Sequence, residues 1–278
     1  MKVLFIEPCY VNFGGYFRAY NICSSLSKKG IKVDMLCSRK EQFGLLIRKR
    51  KINEQFTIYE LPRLSSNFFL NGRLLRGFFG LLFGLFGKYD IIHAAVPIQL
   101  ESNIPAFFLK LLGKTVIVDW DDYWEGSTIY GEYTLLKKYV VFCETRAPSF
   151  FENMVVVSDF LSKKAQERGA TDVLKLINGV DINQSEAKDR QESRTRLNLK
   201  KDGKYLLTFG HTYINDRAYL LFKTLEYIVK IDPEVILLFN QDPAKIIKEQ
   251  KLENRIDTSI LKNIITTLRK TSLTRAVL

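Results

Sequence analysis

Met1-Lys-Val-Leu-Phe-Ile-Glu7 opens the chain as an apolar run of strand length, and Pro8-Cys-Tyr-Val-Asn-Phe-Gly14-Gly15 follows it as a loop. A helical pattern then extends to Gly30, with ring-bearing or apolar residues at Tyr16, Tyr20, Cys23 and Leu26. A strand, a glycine-containing loop and a helix in this order begin a doubly wound α/β sheet. Glycine permits close backbone approach and a helix start offers free N–H donors, so Gly14 and Gly15 are expected to flank a phosphate or an acceptor sugar. The alternative is that the pair only makes a tight turn.

Strand-like runs alternate with helical patterns along the chain. Strands are predicted at Val3–Glu7, Ile31–Cys37, Phe56–Leu61, Asp90–Ala95, Thr115–Asp119, Asn153–Val157 and Val173–Ile177. Helices between them are predicted at Ile98–Leu112, Glu132–Phe150 and Asp159–Arg168. Continuous Val/Ile/Leu strands separated by helices indicate an α/β fold whose parallel sheet is covered on both faces.

A second, shorter series of the same kind follows a polar connection. The charge-rich segment Asp181–Asp202 is predicted to join an N-terminal domain, residues 1–182, to residues 183–278. The second series is predicted to contain strand Tyr205–Phe209, helix Asp216–Ile231, strand Val235–Asn240 and helix Pro243–Lys251. From about Thr258 the pattern supplies no further strand. We therefore expect two Rossmann-like domains with parallel sheets, the second one incomplete.

The composition, 46% hydrophobic and 26% charged over 278 residues, is that of an ordinary globular protein. The four cysteines lack paired spacing and there are only two histidines, so we expect reduced thiols and no metal site. Glu7 and Pro8 interrupt the first apolar run, which argues against a signal peptide and favours a cytoplasmic protein.

The net charge of +12 calls for an anionic partner. Nucleic acid is disfavoured because the aromatic residues are not interleaved with the basic ones. An anionic membrane surface, contacted peripherally, is favoured by the basic cluster Arg48–Lys51 and the aromatic segment Phe68–Phe86. That segment is too interrupted by Arg73, Arg76 and glycines for a comfortable membrane span. The alternative is a hydrophobic helix packed on the sheet with its arginines in water.

Two groups of polar residues follow predicted strands. His93 lies at the carboxyl end of the strand Asp90–Ala95, at the edge where open α/β sheets bind ligands, although a core histidine would fit the same position. Asp119-Trp-Asp-Asp-Tyr-Trp124 is the densest cluster of carboxylates and aromatic rings. Such a cluster suits sugar hydroxyls and C–H faces, and a carboxylate in it would orient or deprotonate a hydroxyl nucleophile. Helix-capping acids and a metal pair for a nucleotide diphosphate are the alternatives.

Several ordered fragments resemble the family-4 retaining glycosyltransferases of the two-domain GT-B fold. They are the Gly14-Gly15 loop with its helix, "DIIHAA", "VDWDDYW", "ENMVVVSDFLSKKAQERGA", "LINGVDI" and "YLLTFGH" followed by "PEVILLF". The resemblance covers roughly Met1 to Asn240. It implies transfer of a sugar from a nucleotide-sugar donor with retained configuration and without an essential metal or cofactor. The acceptor would lie on the first domain and the donor mainly on the second.

The resemblance also carries site residues over. Gly14 and Gly15, with Gly210, His211 and Arg217, would contact the donor. His211 and Arg217 stand where the family usually has a basic residue and a lysine that face the donor diphosphate. The family's pair of glutamates, separated by seven residues, is not matched. Glu226 and Glu234 have that spacing, but they lie at a helix end and before a strand.

We therefore expect a glycosyltransferase that acts on a glycan or lipid-linked acceptor. His93, Asp121 and Asp122 are the expected catalytic residues, and Trp120, Tyr123 and Trp124 the expected acceptor contacts. The alternative is a truncated, non-catalytic remnant that binds a membrane surface or a partner. Since the expected second domain is incomplete, we also expect the 278-residue chain to be a weak catalyst. An NAD-dependent oxidoreductase is disfavoured, because Ser38-Arg39-Lys40 occupies the place of the acid that would hold the ribose.

Overall fold

The computed structural model describes residues 1–41, 43–44, 46–65, 72–126, 135–179, 189–208 and 217–266. The chain divides into two compact units, Met1–Val180 and Asp181–Leu278, and each is considered by itself. The boundary expected after residue 182 lies outside the described residues.

The first unit contains eight strands and five helices within its described residues. The strands are β1 (Lys2–Tyr10), β2 (Lys32–Ser38), β3 (Arg48–Lys51), β4 (Phe56–Leu61), β5 (Ile91–Ala95), β6 (Thr115–Trp120), β7 (Asn153–Val156) and β8 (Asp172–Lys175). The helices are α1 (Tyr16–Lys28), α2 (Arg73–Phe86), α3 (Leu100–Leu111), α4 (Leu135–Phe151) and α5 (Asp159–Glu167). These bounds confirm the predicted alternation of strands and helices.

The eight strands form one sheet in the order β3-β4-β2-β1-β5-β6-β7-β8. Every neighbouring pair is parallel except β3 and β4. The chain builds outward from β1 through β2 to β4 and then returns to the other side of β1 with β5. The strand order reverses between β1 and β5, so a crevice opens at the carboxyl ends of these two strands.

Successive side chains of β1 enter two different cores, one on each face of the sheet. Leu4 and Ile6 join a cluster that α2, α3 and α5 help to cover. Val3 and Phe5 join a second cluster with residues of α1, β2 and β4. Burial on both faces explains why the strands read as unbroken apolar runs.

Helix α2 corrects one expectation about the aromatic segment. Residues 66–71 lie outside the described part of the chain, and the helix begins at Arg73. The Arg76 side chain is buried, where it donates to Pro62 O at 3.0 Å and pairs with Glu101 at 2.9 Å. Arg73 donates to Gln99 at 2.6 Å. The expectation that these arginines lie in water is therefore wrong. Among the described residues, no helix has the length and apolar character needed to cross a bilayer.

The second unit contains a smaller parallel sheet in the order β11-β10-β9. Its described elements are α6 (Arg190–Arg196), β9 (Lys204–Thr208), α7 (Arg217–Ile231), β10 (Val235–Phe239), α8 (Pro243–Glu249), a 3₁₀ helix (Thr258–Asn263) and β11 (Ile264–Thr266). Residues of α7, β10 and α8 form its core. The expectation of no strand after Thr258 is wrong, because Ile264–Thr266 pairs with Leu237–Phe239.

Candidate functional site

The carboxyl ends of β1, β5 and β6 bring three ionisable residues to the crevice of the first unit. Glu7 lies on β1, His93 on β5 and Asp119 on β6, and Phe5 and Ala95 hold the last two in register across the sheet. The imidazole of His93 stacks on the Phe5 ring at 4.2 Å between centroids. The packed sheet thus fixes the orientation of His93.

Asp119 is the centre of the charged cluster. Arg18, in the first turns of α1, binds it with two hydrogen bonds: Nε donates to Oδ2 at 3.0 Å and Nη2 to Oδ1 at 2.9 Å. His93 Nε2 lies 3.4 Å from Asp119 Oδ2. Burial alone raises the pKa of Asp119, but hydrogen bonds and positive charge from His93 and Arg18 outweigh it, so the pKa lies below its ordinary value. Asp119 is therefore a buried negative charge that Arg18 holds in place beside His93.

Arg18 also ties the end of β8 to this cluster. Its Nη1 donates to Leu176 O at 2.8 Å and to Asn178 Oδ1 at 3.0 Å. Asn21, one turn later on α1, donates to Gly179 O at 3.1 Å. The turn after β8 is consequently held against the start of α1, although its residues are exposed to solvent.

The glycine loop lies directly over Glu7. Gly15 precedes α1, and a β-carbon there would lie 3.2 Å from Glu7 Oε1. Gly14 has a φ of 54°, which favours glycine. The Glu7 carboxyl accepts a hydrogen bond from Cys9 N at 2.8 Å. Burial, reinforced by the charges of Asp121 and Asp119, raises the pKa of Glu7 to about 8. A protonated carboxyl therefore supports the loop at neutral pH.

Asp121 and Asp122 follow β6 and face the start of α1. Burial, with the charges of Asp122 and Asp119, raises the pKa of Asp121 to about 7. Its Oδ1 is buried and has no hydrogen-bond partner in the described part of the chain. Burial also raises the pKa of Asp122. Asp121 can therefore exchange a proton close to neutral pH, as a general acid or base requires.

These groups line a cavity of about 310 Å³ on the first unit. Its wall is formed by Gly14, Gly15, Phe17, Arg18, Asn21, Asp121, Asp122, Asn178 and Gly179. The structure thus brings Gly14, Gly15 and the two expected catalytic aspartates together. His93 lies behind this wall and reaches the cavity residues through Asp119 and Arg18.

The three aromatic residues of the acidic loop have different surroundings. Trp120 is fully buried, and its Nε1 donates to Glu144 Oε1 at 3.0 Å. A ring enclosed in the core cannot stack on an acceptor, so Trp120 supports the sheet. Trp124 packs against the second core cluster, and its backbone N–H donates to the same Glu144 oxygen. Tyr123 is partly exposed beside Phe160, with Lys164 Nζ 4.8 Å from its ring centroid.

The other three expected donor contacts belong to the second unit and are only partly described. Gly210 and His211 lie outside the described residues. Arg217 is exposed at the first position of α7. Across the described ranges, no group of three or more His, Cys, Asp or Glu side chains could hold a metal ion.

Sequence reasoning missed Arg18, Glu7 and Asn178. The partners of Arg18 are 101 to 160 residues away in the chain, so no local pattern indicates them. The sequence position of Glu7 could have indicated a site residue, because a carboxylate at the end of an apolar strand lies at the ligand-binding edge of the sheet. Asn178 belongs to the fragment "LINGVDI", for which no site role was expected.

No protein-family model matches the sequence, and no curated protein matches it either. Solved structures do match. Sucrose-phosphate synthase from Thermosynechococcus elongatus superposes with a TM-score of 0.67 at 13% identity, over 99% of this chain and 72% of that chain. The catalytic domain of starch synthase IV from Arabidopsis thaliana, bound to ADP and acarbose, gives 0.61 at 14% identity, over 99% and 76%.

The chain has the GT-B fold. The expected fold class is therefore confirmed. A putative UDP-N-acetylglucosamine 2-epimerase from Listeria monocytogenes also matches, with a TM-score of 0.60 at 10% identity, over 99% of this chain and 70% of that chain. Since one fold carries different activities, the GT-B fold does not by itself assign a reaction.

Proposed function

We propose that this chain is a glycosyltransferase that moves a sugar from a nucleotide-sugar donor to a glycan or lipid-linked acceptor. The observation that carries the proposal is the cavity at the strand-order reversal, where Asp121 and Asp122 face the glycine loop beside the Arg18–Asp119–His93 cluster. The fold supports it, since two of the matched proteins are named as ADP-bound and as acting on UDP-N-acetylglucosamine.

The acceptor hydroxyl would bind in this cavity. Asp121 has a buried carboxylate oxygen that accepts no hydrogen bond from the described residues, and a sugar hydroxyl can donate to such an oxygen. Asp122 and the amide of Asn178 add further hydrogen-bonding groups. Arg18 donates four hydrogen bonds to Asp119, Leu176 and Asn178, so its role is to position the cavity wall.

The donor diphosphate would be held by Arg217, Gly210 and His211 on the second unit, with Gly14 and Gly15 at the cavity rim. The acceptor oxygen forms a bond to the anomeric carbon while the bond from that carbon to the phosphate oxygen breaks. The acceptor proton passes to the leaving diphosphate, and configuration is retained. Positioning and charge stabilisation supply the rate, and neither a metal nor another cofactor is included in the proposal.

Calorimetry of the chain with UDP-, ADP- and GDP-sugars tests donor binding, and phosphorus NMR tests diphosphate release in the presence of neutral glycan acceptors. We expect detectable binding of one nucleotide class. Turnover, weak in the native chain, should fall at least about tenfold in Asp121→Asn, because the variant weakens the hydrogen bond that positions the acceptor hydroxyl. Glu167→Gln, on the exposed surface of α5, is the matched control. Absence of donor binding would favour the alternative, a non-catalytic binding protein. Epimerisation of the donor without sugar transfer would instead assign an epimerase reaction to the chain.

A lipid-linked acceptor would require the chain to work at a membrane surface. Peripheral attachment at the cytoplasmic face is therefore part of the proposal.

A further inference from the structure

Helix α2 turns large apolar side chains towards solvent. Leu74, Phe78 and Phe86 recur at four- or eight-residue spacing and therefore share one stripe of the helix. Their exposed fractions are 64%, 54% and 77%. A monomeric globular protein seldom exposes such residues in a contiguous row.

The opposite side of α2 explains this arrangement. Gly77, Gly80 and Gly84 face α3, where β-carbons would meet Leu100 O, Pro105 and Leu109. Phe79 and Phe83 pack against the core of the sheet. With glycines towards α3 and two phenylalanines towards the sheet, the remaining large side chains lie on the outward side.

Helix α3 continues the exposed apolar surface. Phe107, Phe108, Leu111 and Leu112, at the end of α3, are between 40% and 61% exposed. The successive glycine contacts run in the same direction along both helices, so α2 and α3 are parallel neighbours and their outward sides adjoin. We call these residues together with Leu74, Phe78 and Phe86 the α2–α3 face.

The charges around this face are basic. Helix α2 has no carboxylate, and the only one on α3, Glu101, is buried against Arg76. Lys88 follows Phe86 and is exposed, and Lys114 follows Leu112. Asp90 accepts a hydrogen bond from the backbone N–H of Lys2, and Glu152 pairs with Lys110.

We propose that the α2–α3 face docks on an anionic lipid surface, with its phenylalanine and leucine side chains in the acyl boundary and Lys88 and Lys114 among the head groups. Apolar burial and attraction of lysines to anionic lipid act together at such surfaces. A second copy of this chain is the less suitable occupant, because its net charge is also +12. The proposal assigns the head-group contacts to Lys88 and Lys114 and does not require Arg48–Lys51, which form the edge strand β3.

Co-sedimentation of the full chain with phosphatidylcholine vesicles, with and without phosphatidylglycerol, measures the partition. Phe78→Ser/Phe86→Ser should weaken binding to the mixed vesicles at least about tenfold, because two aromatic rings leave the lipid. Lys88→Gln/Lys114→Gln should weaken it roughly tenfold on the mixed vesicles only. Added salt should have the same selective effect.

The matched control is Phe142→Ser on α4, where Phe142 is 62% exposed beside Lys137, Lys138 and Arg146. Circular dichroism melts check that every variant folds. An equal loss in the control, or binding that depends on Arg48→Gln/Lys49→Gln, would overturn the assignment of this face. A lipid-free dimer abolished by Phe78→Ser/Phe86→Ser would assign the face to a second copy. Vesicle binding without sugar transfer would refute only the proposed function.

Discussion

Two buried arginine–carboxylate pairs in the first unit have the same chemistry but different surroundings. Arg18 and Asp119 meet at the carboxyl edge of the sheet beside an open cavity. Arg76 and Glu101 meet between two helices, with both side chains 4% exposed. At the sheet edge, the neighbouring Asp121 lines the cavity and its pKa is raised to about 7. Among the described residues, Asp121 and Glu101 each have one buried carboxylate oxygen without a hydrogen-bond partner, so such an oxygen does not distinguish the two pairs. The comparison teaches that a buried ion pair indicates a site only when an open cavity lies beside it.

Arg18→Ala should have the largest effect on folding stability. Asp119 is 2% exposed, and removal of the arginine leaves a buried carboxylate beside His93 without its two hydrogen bonds from Arg18. We expect the free energy of unfolding to fall by about 3–5 kcal/mol, measured by urea denaturation. Arg18→Leu/Asp119→Leu should recover much of the stability but not ligand binding. Full recovery of both would remove Arg18 and Asp119 from the site.

Arg76→Met should cost less, roughly 2 kcal/mol, because Arg73 remains 3.8 Å from Glu101. Adding Glu101→Met replaces the pair with apolar side chains of similar length and should restore stability to within about 1 kcal/mol. Donor and acceptor binding should be unchanged in this double variant. If the double variant keeps its stability but loses binding, the Arg76–Glu101 pair also belongs to a ligand site, as the Arg18–Asp119 pair does.

Glu7→Gln tests whether the buried Glu7 carboxyl makes the stability of the fold depend on pH. The pKa of Glu7 is about 8 in the folded chain against an ordinary 4.5, so the unfolded chain loses this proton first as pH rises. The stabilising contribution of Glu7 is therefore full below about pH 4.5 and is lost towards pH 8. Thermal melts should show the variant gaining about 3–4 kcal/mol relative to the native chain between pH 5 and pH 8. Glu167→Gln should show no such trend, and a parallel trend in both would refute the buried-acid assignment.

Asp121→Asn should have the smallest effect on stability, below about 1 kcal/mol at pH 4. The pKa of Asp121 is raised from an ordinary 3.8 to about 7, so the native chain loses stability relative to the variant progressively as pH rises from about 4 to 7. Acceptor binding by the native chain should change near pH 7 and that step should be absent from the variant, as calorimetry across pH would measure. An unchanged pH profile would place Asp121 outside the ligand contact.

Much of the fold was predictable because each buried parallel strand is an apolar run followed by a helix. β3 escaped prediction because all four of its residues are basic, and β11 because it has only three residues. Their pairing with β4 and β10 is decided by the tertiary fold.

The candidate site was predictable where it follows strand ends, as at His93 and Asp121. The interpretation of Trp120 neglected the two-residue period of β6, which places it on the same buried face as Val116 and Val118. The expectation that the 278-residue chain is a weak catalyst of sugar transfer stays a prediction. No sequence pattern indicated Arg18, because its partners come from β6 and the turn after β8.

The strand β3 gives the sheet a protected border. An edge strand exposes unpaired N–H and C=O groups to which another chain can add. β3 carries Arg48, Lys49, Arg50 and Lys51, of which Arg50 pairs with Glu60 and Lys51 with Glu54. Two molecules that met edge to edge would bring arginines and lysines opposite one another, and like charges on facing strands repel. The basic cluster thus discourages the intermolecular strand pairing from which aggregates grow.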